Sequence, residues 1–301
     1  MRTQRYFYAN TRIAGTPFEY LAQPLPILKG RVIAFAVFGT YSFSRHISVQ
    51  VQLAMALLIF TLIPVLIVLG QRFRARYTAW RSLNFSFAGA IGRAYGPFFA
   101  MYFLVPITLF VAYPFMRAKQ KRFLVENHRY GGVAFKFRAL DGDFFPPYLK
   151  GFGLWLVWMI ISIFASSVIM IASTRGAQMP APAAIYATVA LVYGGMFAVG
   201  IYVVSRVTNL LYNNVDIGGH RLSSTLGAFD LMRLYLTNTL AIIASAGMLI
   251  PWAMIRMARY RASRLTLLAH GDLDAFTAEA SAERGAAGAE LGHLFDVEIG
   301  F

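Results

Sequence analysis

Residues 119–137 read Lys-Gln-Lys-Arg-Phe-Leu-Val-Glu-Asn-His-Arg-Tyr-Gly-Gly-Val-Ala-Phe-Lys-Phe, and the same pattern occurs near the start of the chain. Six positions match at a constant displacement of 117 residues. The matched residues are Arg5, Tyr6, Asn10, Gly15, Phe18 and Tyr20, which correspond to Arg122, Phe123, Asn127, Gly132, Phe135 and Phe137. A constant displacement over six positions indicates a tandem duplication.

Two further matches extend the duplication beyond this polar motif. The segment Pro26-Ile-Leu-Lys-Gly30 returns as Pro147-Tyr-Leu-Lys-Gly151, displaced by 121 residues, so the second copy carries a short insertion. The segment 251–260 matches 114–123 at a displacement of 137 residues. Apolar runs and basic motifs therefore belong to the same repeating unit.

The composition is that of an integral membrane protein. Hydrophobic residues make up 58% of the chain, charged residues only 14%, and the mean hydropathy is +0.56. The net charge of +15 comes from basic residues that flank the apolar runs, as in cytoplasmic loops, and this placement argues against a nucleic-acid-binding protein. The absence of cysteine excludes disulfides and thiolate metal sites.

Four apolar runs are long enough to predict membrane-spanning helices, because about 20 helical residues cross the hydrocarbon core. These runs cover residues 25–43, 51–69, 151–173 and 183–205. Two shorter runs, at 96–116 and 235–255, contain helix-disfavouring prolines and are predicted as broken, re-entrant helices. If all basic motifs are cytoplasmic, 26 of the 28 Lys and Arg residues lie inside and only Arg45 and Arg175 lie outside. Kinked spanning helices are the alternative for the two short runs.

The predicted fold class is an all-α polytopic membrane protein. It is a helical bundle of four firm spans plus two short broken or re-entrant helices, with an internal tandem duplication and small cytoplasmic β-hairpins. The predicted divisions are a first repeat at 1–95, a broken apolar hairpin at 96–116, a second repeat at 117–234, a second broken hairpin at 235–255, and a last basic motif with a flexible C-terminal tail at 256–301.

Several of these segments resemble the YjgN family of bacterial inner-membrane proteins over nearly the whole chain. The residues that carry the resemblance are Arg5-Tyr-Phe-Tyr-Ala-Asn-Thr11 with Gly15 and Phe18, Leu28-Lys-Gly30, Pro251-Trp-Ala253 with Arg259-Tyr260, and Gly271-Asp-Leu-Asp274. The resemblance implies a polytopic inner-membrane protein of unknown function without established catalytic residues. One departure is that family members usually carry a short apolar hairpin and a Pro-Trp-Ala before the first Arg-Tyr motif.

The basic motifs supply the candidate binding residues. Their arginines either anchor helices at the interface by snorkelling or grip phosphate headgroups or a small anion. The candidate headgroup or anion contacts are Arg5, Asn10, Arg122, Asn127, Arg256 and Arg259. Asp230 and Arg233, three residues apart beside an apolar run, are a candidate intramembrane pair, with an interfacial ion pair as the alternative.

No catalytic, cofactor-binding or metal-binding residue is predicted. The five histidines are far apart in the sequence, and Glu126, Asp141 and Asp143 are explained by helical pairing and a turn. We therefore expect a non-enzymatic envelope or scaffold protein of the bacterial inner membrane, multi-pass, with an interfacial basic face. The alternative is a transporter or channel for a small solute, anions included, with sites at the broken helices. The expected partners are the lipid bilayer and anionic lipid headgroups, with no nucleic acid and no cofactor; a homo-oligomer is compatible with this reading.

Overall fold

The computed structural model describes residues 2–174 and 181–283, and most of these residues are helical. The helices are α1 (Arg2–Asn10), α2 (Pro24–Ser44), α3 (Val49–Arg76), α4 (Ile91–Tyr95), α5 (Met101–Ile107), α6 (Tyr113–Glu126), α7 (Phe145–Ser173), α8 (Pro182–Asn213), α9 (Ala228–Ala244), α10 (Ile250–Ser263) and α11 (273–283). A π-helical turn at Gly96–Ala100 precedes α5, and a 3-10 turn at Asp141–Phe144 precedes α7.

Nine strands form one antiparallel sheet in chain order. They are β1 (Arg12–Ile13), β2 (Thr16–Tyr20), β3 (Thr78–Trp80), β4 (Leu83–Phe87), β5 (His128–Tyr130), β6 (Val133–Phe137), β7 (Val215–Ile217), β8 (His220–Ser224) and β9 (Leu265–Leu268). The first eight strands make four hairpins with two-residue turns, in which one or both turn residues have positive φ. Such turns match the right-handed twist of the flanking strands.

Among the described residues, three helices are long and apolar enough to cross a membrane: α3, α7 with the preceding turn (Asp141–Ser173), and α8. In their most apolar stretches only 11%, 6% and 11% of the residues are buried by the protein. Helix α2 has 21 residues but does not reach the same hydropathy, because Lys29 and Arg31 lie in its first two turns. The three candidate spans therefore present apolar side chains outward, as helices in lipid do.

The predicted all-α bundle of four firm spans is wrong. The described chain has three candidate spans, and a nine-stranded sheet is a large part of its architecture. The hairpins predicted within each motif are joined by pairings between motifs, such as Phe18 with Trp80 and Phe85 with Tyr130. A strand of three to five residues contains too little pattern to reveal a partner in a distant motif.

By its contacts the chain divides into two units, and the first comprises Met1–Arg138, Asn214–Leu222 and Leu267–Phe301. The Tyr130 ring, which is 2% exposed, packs with Trp80 and Leu83 against Phe276 and Ala280 of α11. Further residues of strands β1 to β7 join this cluster, and His220 of β8 lies 4.5 Å from the Phe276 ring centroid.

This arrangement requires a strongly curled sheet. Eight strands spaced about 4.8 Å apart would span roughly 35 Å if they lay flat, too far for all of them to meet one helix. At Gly131 a side chain has no room, because its backbone has a φ of +57° and a Cβ would lie 2.4 Å from the carbonyl oxygen of Ala280. The neighbouring Gly132 amide donates to that same oxygen at 2.9 Å. The sheet of this unit therefore wraps around α11.

The second unit comprises Ala139–Asn213 and Ser223–Thr266. Helices α7 and α8 pack closely where the Trp158 indole lies over Gly195, and its Nε1 donates to the Leu191 carbonyl at 3.1 Å. A smaller cluster around Ile201, Leu226 and Leu231 joins α8 to the α9–α10 hairpin.

Both short apolar runs contain a break with left-handed backbone. In the first unit, Leu109 and Phe110 have positive φ between α5 and α6, and the Gln120 amide of α6 donates to the Pro97 carbonyl at 3.0 Å. In the second unit, Ala246 and Gly247 have positive φ between α9 and α10. Each run is thus an antiparallel helical hairpin; its insertion into a membrane stays a prediction.

The described part of the predicted C-terminal tail is helical and packs within the first unit. Residues 273–283 are helical, and the Arg81 guanidinium pairs with the carboxylate of Asp274. Residues 284–301, and Arg175 of the predicted external loop, lie outside the described residues.

Candidate functional site

The repeated motif is a joint between a helix end and a hairpin. In four joints, the backbone N–H directly after a hairpin donates to the carbonyl at the C-terminal end of the next motif helix. These bonds run from Leu21 to Tyr77 (2.9 Å), Ala88 to Asn127 (2.8 Å), Arg138 to Asn214 (2.9 Å) and Thr225 to Arg264 (3.0 Å). The last backbone carbonyls of a helix have no hydrogen-bond donor inside the helix. The N–H after each hairpin supplies a donor to one such carbonyl of the helix that follows.

A side chain on each of the helices α1, α3, α6 and α8 also binds the hairpin that follows that helix. We call these four residues the clasp positions: each donates to a backbone carbonyl at the far end of its own hairpin. The bonds are Arg5 Nη2 to Ala22 O (3.5 Å), Arg72 Nη2 to Gly89 O (2.9 Å), Arg122 Nη1 to Phe137 O (3.5 Å) and Asn209 Nδ2 to Leu226 O (2.9 Å). The arginines singled out by the repeat therefore have a structural partner in the backbone.

Asn209 makes the clasp hydrogen bond with an uncharged side chain. Besides its donation to Leu226, its Oδ1 accepts from the Ser224 hydroxyl at 2.8 Å and from the Leu226 amide at 2.8 Å. One amide side chain thus uses both its donor and its acceptor on the end of β8, where a guanidinium could only donate.

The candidate asparagines close the ends of their helices. Asn10 Nδ2 donates to the Tyr6 carbonyl at 2.8 Å, and Asn127 Nδ2 donates to the Phe123 carbonyl at 2.7 Å. Arg122 is also 3.2 Å from Glu126 and stacks over the Phe137 ring at 5.6 Å. In the first unit the structure therefore places Arg5 with Asn10 and Arg122 with Asn127 at separate joints, each with its own hairpin.

In the second unit, Arg256 connects the two helices of the α9–α10 hairpin. Its Nη1 donates to Thr237 Oγ1 at 2.6 Å and to Asn238 Oδ1 at 2.9 Å, and its guanidinium lies over the Trp252 ring at 5.2 Å. Arg259, one turn further along α10, is exposed. Of these two candidates, only Arg259 presents a largely exposed side chain to an external ligand.

Asp230 pairs with a residue other than the one nearest in sequence. Its Oδ2 lies 3.0 Å from Arg264 Nη2 and 3.3 Å from the Tyr260 hydroxyl, while Arg233 is exposed on α9. Asp230 and Arg264 are 47% and 43% exposed, and ion pairs at such positions contribute little to stability. The intramembrane pair of Asp230 with Arg233 stays a prediction.

A cavity of 310 Å³ lies beside the second clasp, and we call it the Arg72–Arg76 cavity. Arg72 and Arg76 line it from successive turns of α3, and β4 contributes Asn84 and Ser86 together with two phenylalanine rings. None of its described lining residues carries a carboxylate. Two guanidinium groups and a hydroxyl around one space form an environment suited to an anion with several oxygens.

Two basic side chains in the third motif have lowered pKa values. Burial lowers the pKa of Lys121 on α6, and the nearby Arg117 lowers it further. Burial also lowers the pKa of His128, partly offset by the hydrogen bond of its Nδ1 with the Leu124 carbonyl at 2.6 Å. Both shifts favour the neutral form of the side chain.

The acidic residues considered as a catalytic cluster have local roles. Glu126 pairs with Arg122, and the Asp143 carboxylate accepts from the Leu140 amide at 2.7 Å. Within residues 2–174 and 181–283, no group of three or more His, Asp or Glu residues is placed to hold a metal ion.

Sequence reasoning missed two charged features. The carboxylate of Asp216, which is 2% exposed, pairs with Arg138 and accepts from the Gly219 amide at 2.9 Å; no local pattern marks this residue. The second feature is that Arg72 and Arg76 lie four residues apart on one helix. The sequence does contain a signal for it, because aligning the second motif with the third places Arg76 at the position of Glu126.

Comparison with known proteins identifies the family of the chain. The sequence model of a family described as bacterial protein of unknown function, DUF898, matches residues 1–294. No curated protein and no solved structure matches the chain.

Proposed function

Since the chain belongs to the bacterial DUF898 family of unknown function, as its resemblance to the YjgN family predicted, we propose that it is a non-enzymatic, multi-pass protein of the bacterial inner membrane. In this proposal it holds a curled sheet at the cytoplasmic surface, and its basic helix ends contact anionic lipid headgroups.

The observation that carries the proposal is the distribution of charge along the three candidate spans. Residues 49–71, 151–173 and 182–205 contain no charged residue, and each stretch is long enough to cross about 30 Å of hydrocarbon. The first is followed by Arg72, the second is preceded by Lys150, and the third is followed by Arg206. In each helix the basic residue thus lies at the end that leads to a polar motif. The excess of basic residues on the cytoplasmic side of membrane proteins favours a cytoplasmic position for these ends.

A scaffold role is supported by what the motif residues contact. The clasp side chains donate to backbone carbonyls at the ends of the hairpins, and the helix-end carbonyls accept from the backbone N–H groups that follow the hairpins. Within each unit, these bonds attach the hairpins to the motif helices, which is a structural task.

A transporter remains a second candidate because of the broken helical hairpins. Each unit contains one, with left-handed residues at 109–110 and at 246–247. Interrupted helices of duplicated transporters often carry their binding sites. Solute uptake into vesicles that contain the purified protein would favour this candidate over the scaffold.

Sided labelling of single cysteines tests the membrane placement. His46 is exposed in the turn before α3, and Ser86 is exposed on β4 beyond the other end of that helix. Because the chain has no cysteine, His46→Cys and Ser86→Cys each give one label site. A membrane-impermeant maleimide should label His46→Cys in intact spheroplasts and Ser86→Cys only after permeabilisation. Labelling of both from the same side would contradict a spanning α3.

A further inference from the structure

The five copies of the motif differ at two helix positions, of which the first contacts the end of the hairpin in four copies. These are the clasp position and the residue four further on. The pairs are Arg5 with Ala9, Arg72 with Arg76, Arg122 with Glu126, Asn209 with Asn213, and Arg259 with Ser263. The second copy alone carries two cations.

The third copy shows what the fold accepts at these positions. There Arg122 Nη1 lies 3.2 Å from Glu126, so the clasp arginine has an acidic neighbour on the next turn. In the second copy the corresponding residue is Arg76, and like charges four residues apart on a helix repel each other. Arg76 has no ion pair within the part of the chain that the structure describes. The clasp itself therefore does not require a cation at position 76.

The Arg72–Arg76 cavity gives these two charges a common space. Its 310 Å³ volume lies at the lower end of typical ligand cavities. Arg72 is held in place by its 2.9 Å bond to the Gly89 carbonyl, and the Asn84 amide donates to the Arg76 carbonyl at 3.1 Å. The exposed Ser86 adds a hydroxyl donor. The guanidinium of Arg72 is therefore oriented before a ligand binds, while the guanidinium of Arg76 can still move toward a ligand.

The location of the cavity suggests where a ligand would come from. Arg72 directly follows the uncharged stretch 49–71 of α3, so the cavity lies at the end of a candidate membrane span. Phosphate groups of lipids lie at this level when such a helix crosses a bilayer.

We propose that the Arg72–Arg76 cavity binds a phosphate group, either as the headgroup of an anionic phospholipid or as a free phosphate ion. The guanidinium of Arg76 supplies two parallel N–H donors to two phosphate oxygens, Arg72 supplies a fixed positive charge, and Ser86 donates to a third oxygen. The headgroup alternative rests on the membrane placement proposed above; the free-phosphate alternative does not.

The substitution Arg76→Glu tests the site while keeping the fold. It recreates the arginine–glutamate pair of the third copy, so the variant should unfold at a temperature no lower than the unmodified protein. Arg74→Glu is the matched control, because it makes the same charge change on the same exposed helix end but does not line the cavity. If Arg76→Glu does not fold, Arg76→Gln replaces it.

Binding is measured on purified protein in a neutral detergent with two probes. Native mass spectrometry reports binding of phosphatidylglycerol against phosphatidylcholine, and the shift in unfolding temperature reports binding of inorganic phosphate. Arg76→Glu should weaken binding of the effective probe about tenfold or more, whereas Arg74→Glu should change it less than twofold. If Arg76→Glu loses binding of phosphatidylglycerol alone, the cavity is a headgroup site. If it loses binding of inorganic phosphate, the cavity is a site for the free ion.

Three results would overturn the proposal: no binding of either probe, unchanged binding in the folded Arg76→Glu variant, or equal losses in both variants. Equal losses would mean that phosphate responds only to the general positive charge of the helix end. The sided labelling of His46→Cys and Ser86→Cys is independent of these results, so a failed cavity is distinguishable from a failed membrane placement.

Discussion

The arginines of the repeated motif bind main-chain carbonyls of their own hairpins. The repeat identifies Arg5 and Arg122 as equivalent, and the structure gives both a carbonyl acceptor at or just beyond the end of the second strand. The acceptor could not be predicted, because every residue has a carbonyl and the sequence does not mark the one that a side chain reaches. Their proposed role as headgroup contacts stays a prediction.

His128 should make the stability of the first unit dependent on pH. Its ring packs 5.0 Å from Phe87, and burial lowers its pKa below the ordinary value of 6.5. The unfolded chain therefore binds a proton more readily than the folded one, and stability should fall as the pH drops through 6.5 toward the folded pKa. We expect thermal unfolding between pH 7.5 and 5 to show a smaller pH-dependent loss for His128→Gln than for the unmodified protein. Equal slopes for the two proteins would contradict this role.

At the scale of elements, the sequence predicted hairpins and long apolar helices but missed how the elements combine. Gly-containing turns and alternating aromatic residues signal a hairpin locally, whereas the pairing of β2 with β3 joins residues some sixty positions apart. The count of spans failed at α2 for a different reason. Its apolar run predicts a firm span, but Lys29 and Arg31 in its first turns lower the mean hydropathy of the helix.

The packing of α7 against α8 depends on one of two adjacent glycines. A Cβ at Gly195 would lie 1.8 Å from Trp158 Nε1, while a Cβ at Gly194 would meet no atom within 4 Å. Gly195→Ala should lower the free energy of unfolding by about 1–3 kcal/mol, because the indole must move. Gly194→Ala should be neutral or stabilising by up to about 1 kcal/mol, since alanine favours a helix. Thermal unfolding of both variants in the same detergent checks this difference; a similar response would show that Trp158 moves aside freely.

At the scale of the whole molecule, the least predictable element is α11. Residues 275–292 are rich in Ala, Gly and Glu, and this composition indicates a flexible tail. Phe276 and Ala280 nevertheless lie inside the curled sheet, 9% and 0% exposed. One aromatic residue in a small-residue segment is a weak signal, because the space that it fills exists only after eight strands have come together.

Truncation of Phe276 should loosen the first unit as a whole. The ring stacks on Tyr130 with a centroid distance of 5.7 Å and contacts side chains from several strands. Phe276→Ala should destabilise this unit by about 3 kcal/mol or more and increase hydrogen exchange in β3 to β7. Phe229→Ala removes the same atoms at a position that is 71% exposed and serves as the control. Unchanged exchange in the strands after Phe276→Ala would mean that the sheet holds its curl without α11.

The bonds from each hairpin to the next motif helix also relate the structure to its synthesis. Every such bond joins a segment to one that leaves the ribosome later, from Leu21 with Tyr77 to Thr225 with Arg264. Strand order in the sheet equals the order of translation. The growing chain can therefore add each new strand to an edge that already exists, and no strand has to stay unpaired until a distant segment is synthesised. Because α11 is translated after all nine strands, the step that fills the interior comes last. A chain that stalls before residue 276 lacks Phe276 and Ala280 against the apolar face of the sheet and leaves an edge strand open to pairing with another chain.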